Sequence, residues 1–271
     1  MVILKERSIL HFLKTMASSW NWFAPECSRE LLDLLQNDRK SLIPGSKYEV
    51  LWHTRSKFVL LLELPDGRKV VYKAPLRIKN FYKYMLRLSP YGKEARNFRL
   101  LSKLNLPLVK LLAVGEDRSF FKLQSGFLVT EYADGYSNGR DFIPQVNKIA
   151  DKALIAEFVH RNLALLGSMH AAGFVHRGFT PANLLYRLSD GGSDSGNKLE
   201  LRWIDLASCM KLAWFHNRKK LMCRDLALFF YYFEFSETEL QDFLQSYLQS
   251  NPAIAHESAE LLKKVHANPV R

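Results

Sequence analysis

The densest run of potentially reactive side chains is His170-Ala-Ala-Gly-Phe-Val-His176-Arg-Gly-Phe-Thr-Pro-Ala-Asn183-Leu-Leu, followed by Trp203-Ile-Asp205-Leu. Leu184–Leu188 and Leu199–Ile204 read as strands flanking a polar loop, Ser189–Lys198. Asn183 and Asp205 therefore come from opposite strands of one hairpin, which brings them close in space. Further candidates are Lys73, ending the run Val70-Val-Tyr-Lys73, then Glu94, and Asp225 in Arg224-Asp225-Leu226. Singly, each has a bland explanation. Lys73 is one lysine in a basic stretch, Glu94 a surface acid, Asn183 a turn residue and Asp205 a strand-end cap.

The chain that must position these groups has 271 residues, 48% of them hydrophobic and 24% charged. That is globular composition and excludes a wholly disordered chain. The length suits two domains or one two-lobed domain. The net charge is +12, which points to a polyanionic partner. Nearly all of the excess lies between Arg68 and Lys110, where twelve Lys or Arg residues face one acid, Glu94. Within it, Arg77–Leu88 interleaves basic residues with Phe81, Tyr82, Tyr84 and Met85, a pattern suited to anionic lipid headgroups. No DNA- or RNA-binding motif is recognisable, so nucleic acid is not expected. Cys27, Cys209 and Cys223 lack the spacing of a disulfide framework or zinc site. No apolar run reaches the length of a membrane span, and the N-terminus lacks a signal peptide's layout. A cytoplasmic protein is expected, and the basic–aromatic segment reads either as a surface for anionic lipid or as a solvated helix face whose aromatics pack inward.

Residues 1–45 read as a partly helical N-terminal extension ending at Pro44-Gly45, residues 46–132 as a strand-rich lobe, and residues 133–271 as a helical lobe. The expected strands of the first lobe are Glu49–Trp52, Phe58–Leu64, Val70–Ala74, Val109–Val114 and Phe127–Tyr132, with a turn at Pro65-Asp66-Gly67. Glu94–Leu104 carries Phe98, Leu101 and Leu104 at helical spacing. Ile155–Ala172 reads as a helix stopped by Gly173, and the chain from Arg224 on reads as helices. Strands followed by helices indicate an α+β fold.

In combination and in order, these motifs resemble the core of the protein-kinase-like superfamily. That core has a helix ending in His-x-x-Gly, a His-Arg-Asp-x-x-x-x-Asn loop, a hairpin and a metal-binding aspartate. The resemblance implies a two-lobed kinase-like fold. It implies that Lys73 holds the phosphates of ATP with Glu94 as its ion-pair partner, and that Glu131 and Tyr132 in Leu128-Val-Thr-Glu-Tyr132 enter the hinge of the nucleotide site. Asn183 and Asp205 would hold Mg²⁺, His176 would pin the catalytic loop, and Asp225 would brace it. Gly178 stands where such kinases carry the aspartate that orients and deprotonates the acceptor hydroxyl. No glycine occurs between Glu49 and Leu62 to form the usual phosphate cover, so the turn His53–Lys57 is the alternative cover. Asp205-Leu206-Ala207 replaces Asp-Phe-Gly.

The short interval between Asp205 and Arg224, the absence of an Ala-Pro-Glu segment and the Ile-Asp-Leu and Arg-Asp-Leu-Ala signatures are similar to bacterial lipopolysaccharide kinases. This similarity implies an ATP-dependent kinase acting on an inner-core or lipid-linked sugar at the inner membrane. A pseudokinase, inactive because of Gly178, is the alternative.

Overall fold

The computed structural model describes residues 20–23, 48–53, 57–64, 67–75, 88–119, 122–146, 149, 151–189, 198–257 and 263. They divide into two compact units. One comprises the residues up to Arg96 with Val109–Asp134, the other Asn97–Leu108 with Gly135 onward.

The first unit is built on a six-stranded antiparallel sheet. Its strands are β1 (Trp20–Phe23), β2 (Glu49–His53), β3 (Lys57–Glu63), β4 (Lys69–Pro75), β5 (Leu111–Ser119) and β6 (Lys122–Glu131), in the order β1-β5-β6-β4-β3-β2. Alternation along β3 and β4 buries Phe58, Leu60, Leu62, Val70, Tyr72 and Ala74 on one face. Phe58, Tyr72 and Phe127 stack across three strands of that face at centroid distances of 6.1 and 6.0 Å. Lys73 projects from the opposite face, between Val59 on β3 and Leu128 on β6. Gly67 turns β3 into β4 with a φ of 78°, which glycine adopts at little cost.

Helix α1 (Pro90–Leu101) begins with Ser89 as its cap. The Ser89 hydroxyl accepts from the Gly92 N–H at 3.0 Å, and Pro90 takes the first helical position, where no N–H is needed. The Ser89 N–H donates to Glu116 Oε1 at 3.0 Å. Glu116 is itself buried in an ion pair with Arg118, at 2.7 Å. A buried carboxylate on β5 thus fixes the start of the helix that carries Glu94.

The second unit contains β7 (Ser137–Asn138), α2 (Lys152–Ala171), β8 (Phe174–Val175), β9 (Leu184–Ser189), β10 (Lys198–Trp203), β11 (Met210–Lys211), α3 (Arg218–Phe230) and α4 (Glu237–Ser250). Its strands form a β10-β9-β7 sheet and a β11-β8 pair. Asp151 caps α2 by accepting from Ala153 and Leu154 N–H, and Gly173 ends it at φ 79°. Ser236 and Glu239 form a reciprocal capping box at the start of α4. Helix α4 passes close over α2 at Gly167, where an added Cβ would collide with the Tyr247 carbonyl oxygen.

The strands and helices expected from the sequence are present with shifted ends. β5 and β6 run further into their connecting turn than expected, and α2 starts at Lys152. β1, which pairs with β5, is a strand that the sequence pattern did not mark. The rest of residues 1–45, the basic–aromatic segment Arg77–Arg87, most of the His53–Lys57 turn and the interior of the Ser189–Lys198 loop lie outside the described residues. Cys209 and Cys223 are buried as thiols. Among the described residues, no helix is long and apolar enough to cross a membrane.

Candidate active site

In the first unit, Lys73 Nζ lies 2.8 Å from Glu94 Oε1. Strand β4 sets the lysine on the face away from the aromatic ladder, and α1 presents the carboxylate to it. Glu94 is almost fully buried while Lys73 keeps a fifth of its side chain exposed. The pair therefore fixes an ammonium that still reaches solvent. At the end of β6, Glu131 Oε1 accepts from the Lys110 N–H at 2.8 Å and the Glu131 N–H donates to the Lys110 carbonyl. The Tyr132 N–H donates to the Lys69 carbonyl at 3.2 Å. These bonds tie the segment after β6 to both neighbouring strands.

In the second unit the loop Val175–Asn183 is held from below by Asp225 on α3. The fully buried Asp225 carboxylate accepts from the His176 N–H at 2.7 Å and the Arg177 N–H at 2.6 Å. It also meets His170 Nε2 at 3.2 Å. His170 Nδ1 is 2.7 Å from the Tyr247 hydroxyl, and that hydroxyl accepts from Asn251 Nδ2 at 3.2 Å. These contacts are consistent with one proton arrangement. Asn251 donates to Tyr247, Tyr247 to His170 Nδ1, and His170 Nε2–H to Asp225. Burial pushes the Tyr247 phenol well above its ordinary value, so it remains a donor. The two amides aimed at one carboxylate hold Arg177 at φ 62°, a left-handed conformation uncommon for a non-glycine residue.

His176 is also fully buried, but neither ring nitrogen has a hydrogen-bond partner. Its ring lies among Phe179 and Trp203, at centroid distances of 5.6 and 6.0 Å. Burial lowers its pKa from 6.5, against opposing pulls from Asp225 and Asp205. It is a neutral packing group under the loop.

Asn183 Nδ2 donates to the Gly178 carbonyl at 2.8 Å, closing the loop on itself. Leu184 pairs with Trp203 in the β9–β10 register, and the Ile204 N–H donates to the Asn183 carbonyl at 3.0 Å. Asn183 and Asp205 thus sit just past the last rung of one hairpin. Asp205 takes a left-handed conformation, φ 58°, before a short 3₁₀ turn, Leu206–Ser208. Asn97 holds that turn, donating to the carbonyls of Leu206 at 2.7 Å and Cys209 at 2.9 Å. The sequence pattern did not single out Asn97, because the burial of its amide beside Phe98 and Leu101 is visible only in the fold.

A Cβ at Gly178 would have His176 Nδ1 at 3.8 Å, Asn183 Nδ2 at 3.9 Å and the Ser208 Cβ at 4.0 Å. These are ordinary contacts, so the loop has space for a side chain that the sequence does not supply. One amide and one carboxylate oxygen on a single hairpin fit a Mg²⁺ ion, which keeps water and substrate oxygens in its shell and needs no all-protein cage. No cluster of three or more His, Cys, Asp or Glu that could hold a metal ion occurs among the described residues.

The family model described as "Lipopolysaccharide kinase (Kdo/WaaP) family" matches residues 76–247, more than half of the chain. A comparison with curated proteins finds no match. Among solved structures, one described as WaaP in complex with acyl carrier protein aligns over 92% of this chain and 97% of its own, at 19% identity and a TM-score of 0.66. The Rio2 kinase from Chaetomium thermophilum aligns over 97% of this chain and 85% of its own, at 18% identity and a TM-score of 0.52. At these identities the structural matches show a kinase-like α+β fold.

Proposed function

We propose, for a chain that belongs to the lipopolysaccharide kinase (Kdo/WaaP) family, an ATP-dependent transfer of phosphate to a hydroxyl of a lipopolysaccharide inner-core or lipid-linked sugar. The observation that carries this reading is the Lys73–Glu94 ion pair at 2.8 Å, in a chain that matches a kinase family. Phosphoryl transfer is mainly positioning and charge neutralisation, so a fixed ammonium is what the donor phosphates require. Lys73 is assigned to those phosphates, Glu131 and Tyr132 to the nucleotide, and Asn183 and Asp205 to Mg²⁺. ATP supplies the phosphoryl group and Mg²⁺ offsets its charge. Asp225 acts as a positioning residue through the His176 and Arg177 amides. The acceptor lies at the cytoplasmic face of the inner membrane, with the Arg68–Lys110 basic stretch toward anionic headgroups.

Gly178 supports a second reading, a nucleotide-binding pseudokinase. No carboxylate stands at that position to take the acceptor proton, and loss of a general base costs about 10²–10⁴ in rate. One experiment separates the two. Mg-ATP binding and phosphate transfer to delipidated inner-core saccharide are measured for the wild type and for Gly178→Asp. Transfer by the wild type supports the kinase. Binding without transfer, with transfer restored by Gly178→Asp, supports the pseudokinase. ATP binding unchanged by both Lys73→Ala and Asp205→Ala overturns the site assignment.

A further inference from the structure

Between β11 and α3 the chain forms a tight turn with an exposed aromatic tip. The His216 N–H donates to the Ala213 carbonyl at 3.1 Å, and His216 Nδ1 accepts from the Ala213 N–H at 2.6 Å. This double closure leaves Trp214 and Phe215 at the tip, 94% and 67% exposed, with their rings at right angles and 5.7 Å apart. The Phe215 ring also rests on the His216 imidazole at 4.4 Å, which holds the tip in place. Large aromatic groups presented in this way are the exception on a soluble surface.

The flanks carry charge of one sign. From Lys211 to Arg224 the sequence holds Lys211, Arg218, Lys219, Lys220 and Arg224 and no acid. Three of these lie in the first turn of α3, where the helix dipole favours acids and disfavours cations. Asn217 caps the helix by accepting from the Lys220 N–H at 2.9 Å, so the basic turn is a formed element. A charge placement that opposes local helix stability, next to exposed aromatics, points to a demand from outside the fold.

We propose that the Ala213–Lys220 segment docks on an anionic phospholipid surface, with Trp214 and Phe215 entering the interface and Lys211, Arg218 and Lys220 meeting headgroup phosphates. Tryptophan and phenylalanine partition to the boundary between headgroups and acyl chains. Basic residues around them add attraction that depends on lipid charge. This deepens the membrane placement proposed above and rests on it for the choice of lipid over an acidic protein, but the residues belong to the second unit and lie outside the Arg68–Lys110 stretch.

The test uses the full chain with vesicles of phosphatidylcholine alone and of phosphatidylcholine with phosphatidylglycerol, read by co-sedimentation and by quenching from brominated acyl chains. The wild type is expected to bind the mixed vesicles, with weakening as salt rises. Trp214→Ser/Phe215→Ser is expected to lose about tenfold or more in partitioning, and Arg218→Ala or Lys220→Ala about fivefold each. Trp214→Phe should keep binding but lose much of the quenching. Binding by the double variant equal to wild type, or no preference for the anionic vesicles, overturns the proposal. The second outcome includes the case of an acidic protein as the true occupant. Transfer to soluble saccharide is measured in parallel and is expected to be unchanged in the double variant. Its absence in the wild type removes the phosphotransferase reading and leaves the vesicle result standing.

Discussion

Asn183 donates its side-chain N–H to the carbonyl oxygen of Gly178 at 2.8 Å, so the residue assigned to the metal and the residue lacking a side chain are two ends of one closed loop. The bond uses the Gly178 backbone, and the space a side chain would occupy keeps ordinary contact distances. An aspartate can enter without displacing Asn183. Gly178→Asp is therefore expected to fold with unchanged thermal stability and to raise phosphate transfer by about 10²–10⁴. Single-turnover assays with inner-core saccharide check this, and a melting curve shows whether the loop has been disturbed.

Lys73 and Glu94 form a pair in which the lysine is the more exposed partner. Lys73→Ala is expected to weaken Mg-ATP binding by roughly tenfold to a hundredfold, the scale of one or two charge-assisted hydrogen bonds. Glu94→Gln retains the shape but not the charge, and is expected to lower transfer more than binding. Calorimetric titration with Mg-ATP and initial-rate assays separate the two effects.

Asp225 receives two buried backbone N–H groups and His170. Asp225→Ala leaves all three without an acceptor and is expected to destabilise the protein by about 3 kcal/mol or more. Asp225→Asn keeps one acceptor oxygen and should lose less. Tyr247→Phe removes the hydroxyl between Asn251 and His170, at a cost of about 1–3 kcal/mol. Urea denaturation measures each change.

His176 sets a pH dependence whose sign follows from its burial. Its folded-state pKa lies below the unfolded 6.5, so the unfolded chain binds the proton first as pH falls. The stability it contributes is present above pH 6.5 and is lost as pH falls from there toward the folded value. The loss is at most about 1.4 kcal/mol per pH unit. His176→Phe, which can pack against Phe179 and Trp203, should remove this part of the acid sensitivity. Melting temperatures between neutral and mildly acid pH compare the two proteins.

The parts of this molecule legible in the sequence are those governed by short-range rules. Alternation in Phe58–Leu62 and Val70–Ala74 marks β3 and β4 because one face is buried and the other is not. The hairpin separating Asn183 from Asp205 is legible because its strands flank a polar loop. The bonds that position the loop were less accessible. Asn97 and Tyr247 act on groups far along the chain, and polar residues on helices with an apolar face announce no partner. β1 gave no signal because its pairing is with β5, a strand far along the chain. Nothing in the sequence pattern singled out Trp214 and Phe215, since sequence does not tell an exposed ring from a buried one.

The loop's supports arrive late on the ribosome. Asp225 lies 48 residues after Arg177, and Tyr247 lies 77 after His170. A nascent chain that has extruded only the loop has no acceptor for its two amides and no donor for His170. Arg177 has nothing to hold it in its left-handed state. The loop therefore acquires its working shape only once α3 and α4 have been made, and chains that stall before α4 carry the loop residues without their native setting.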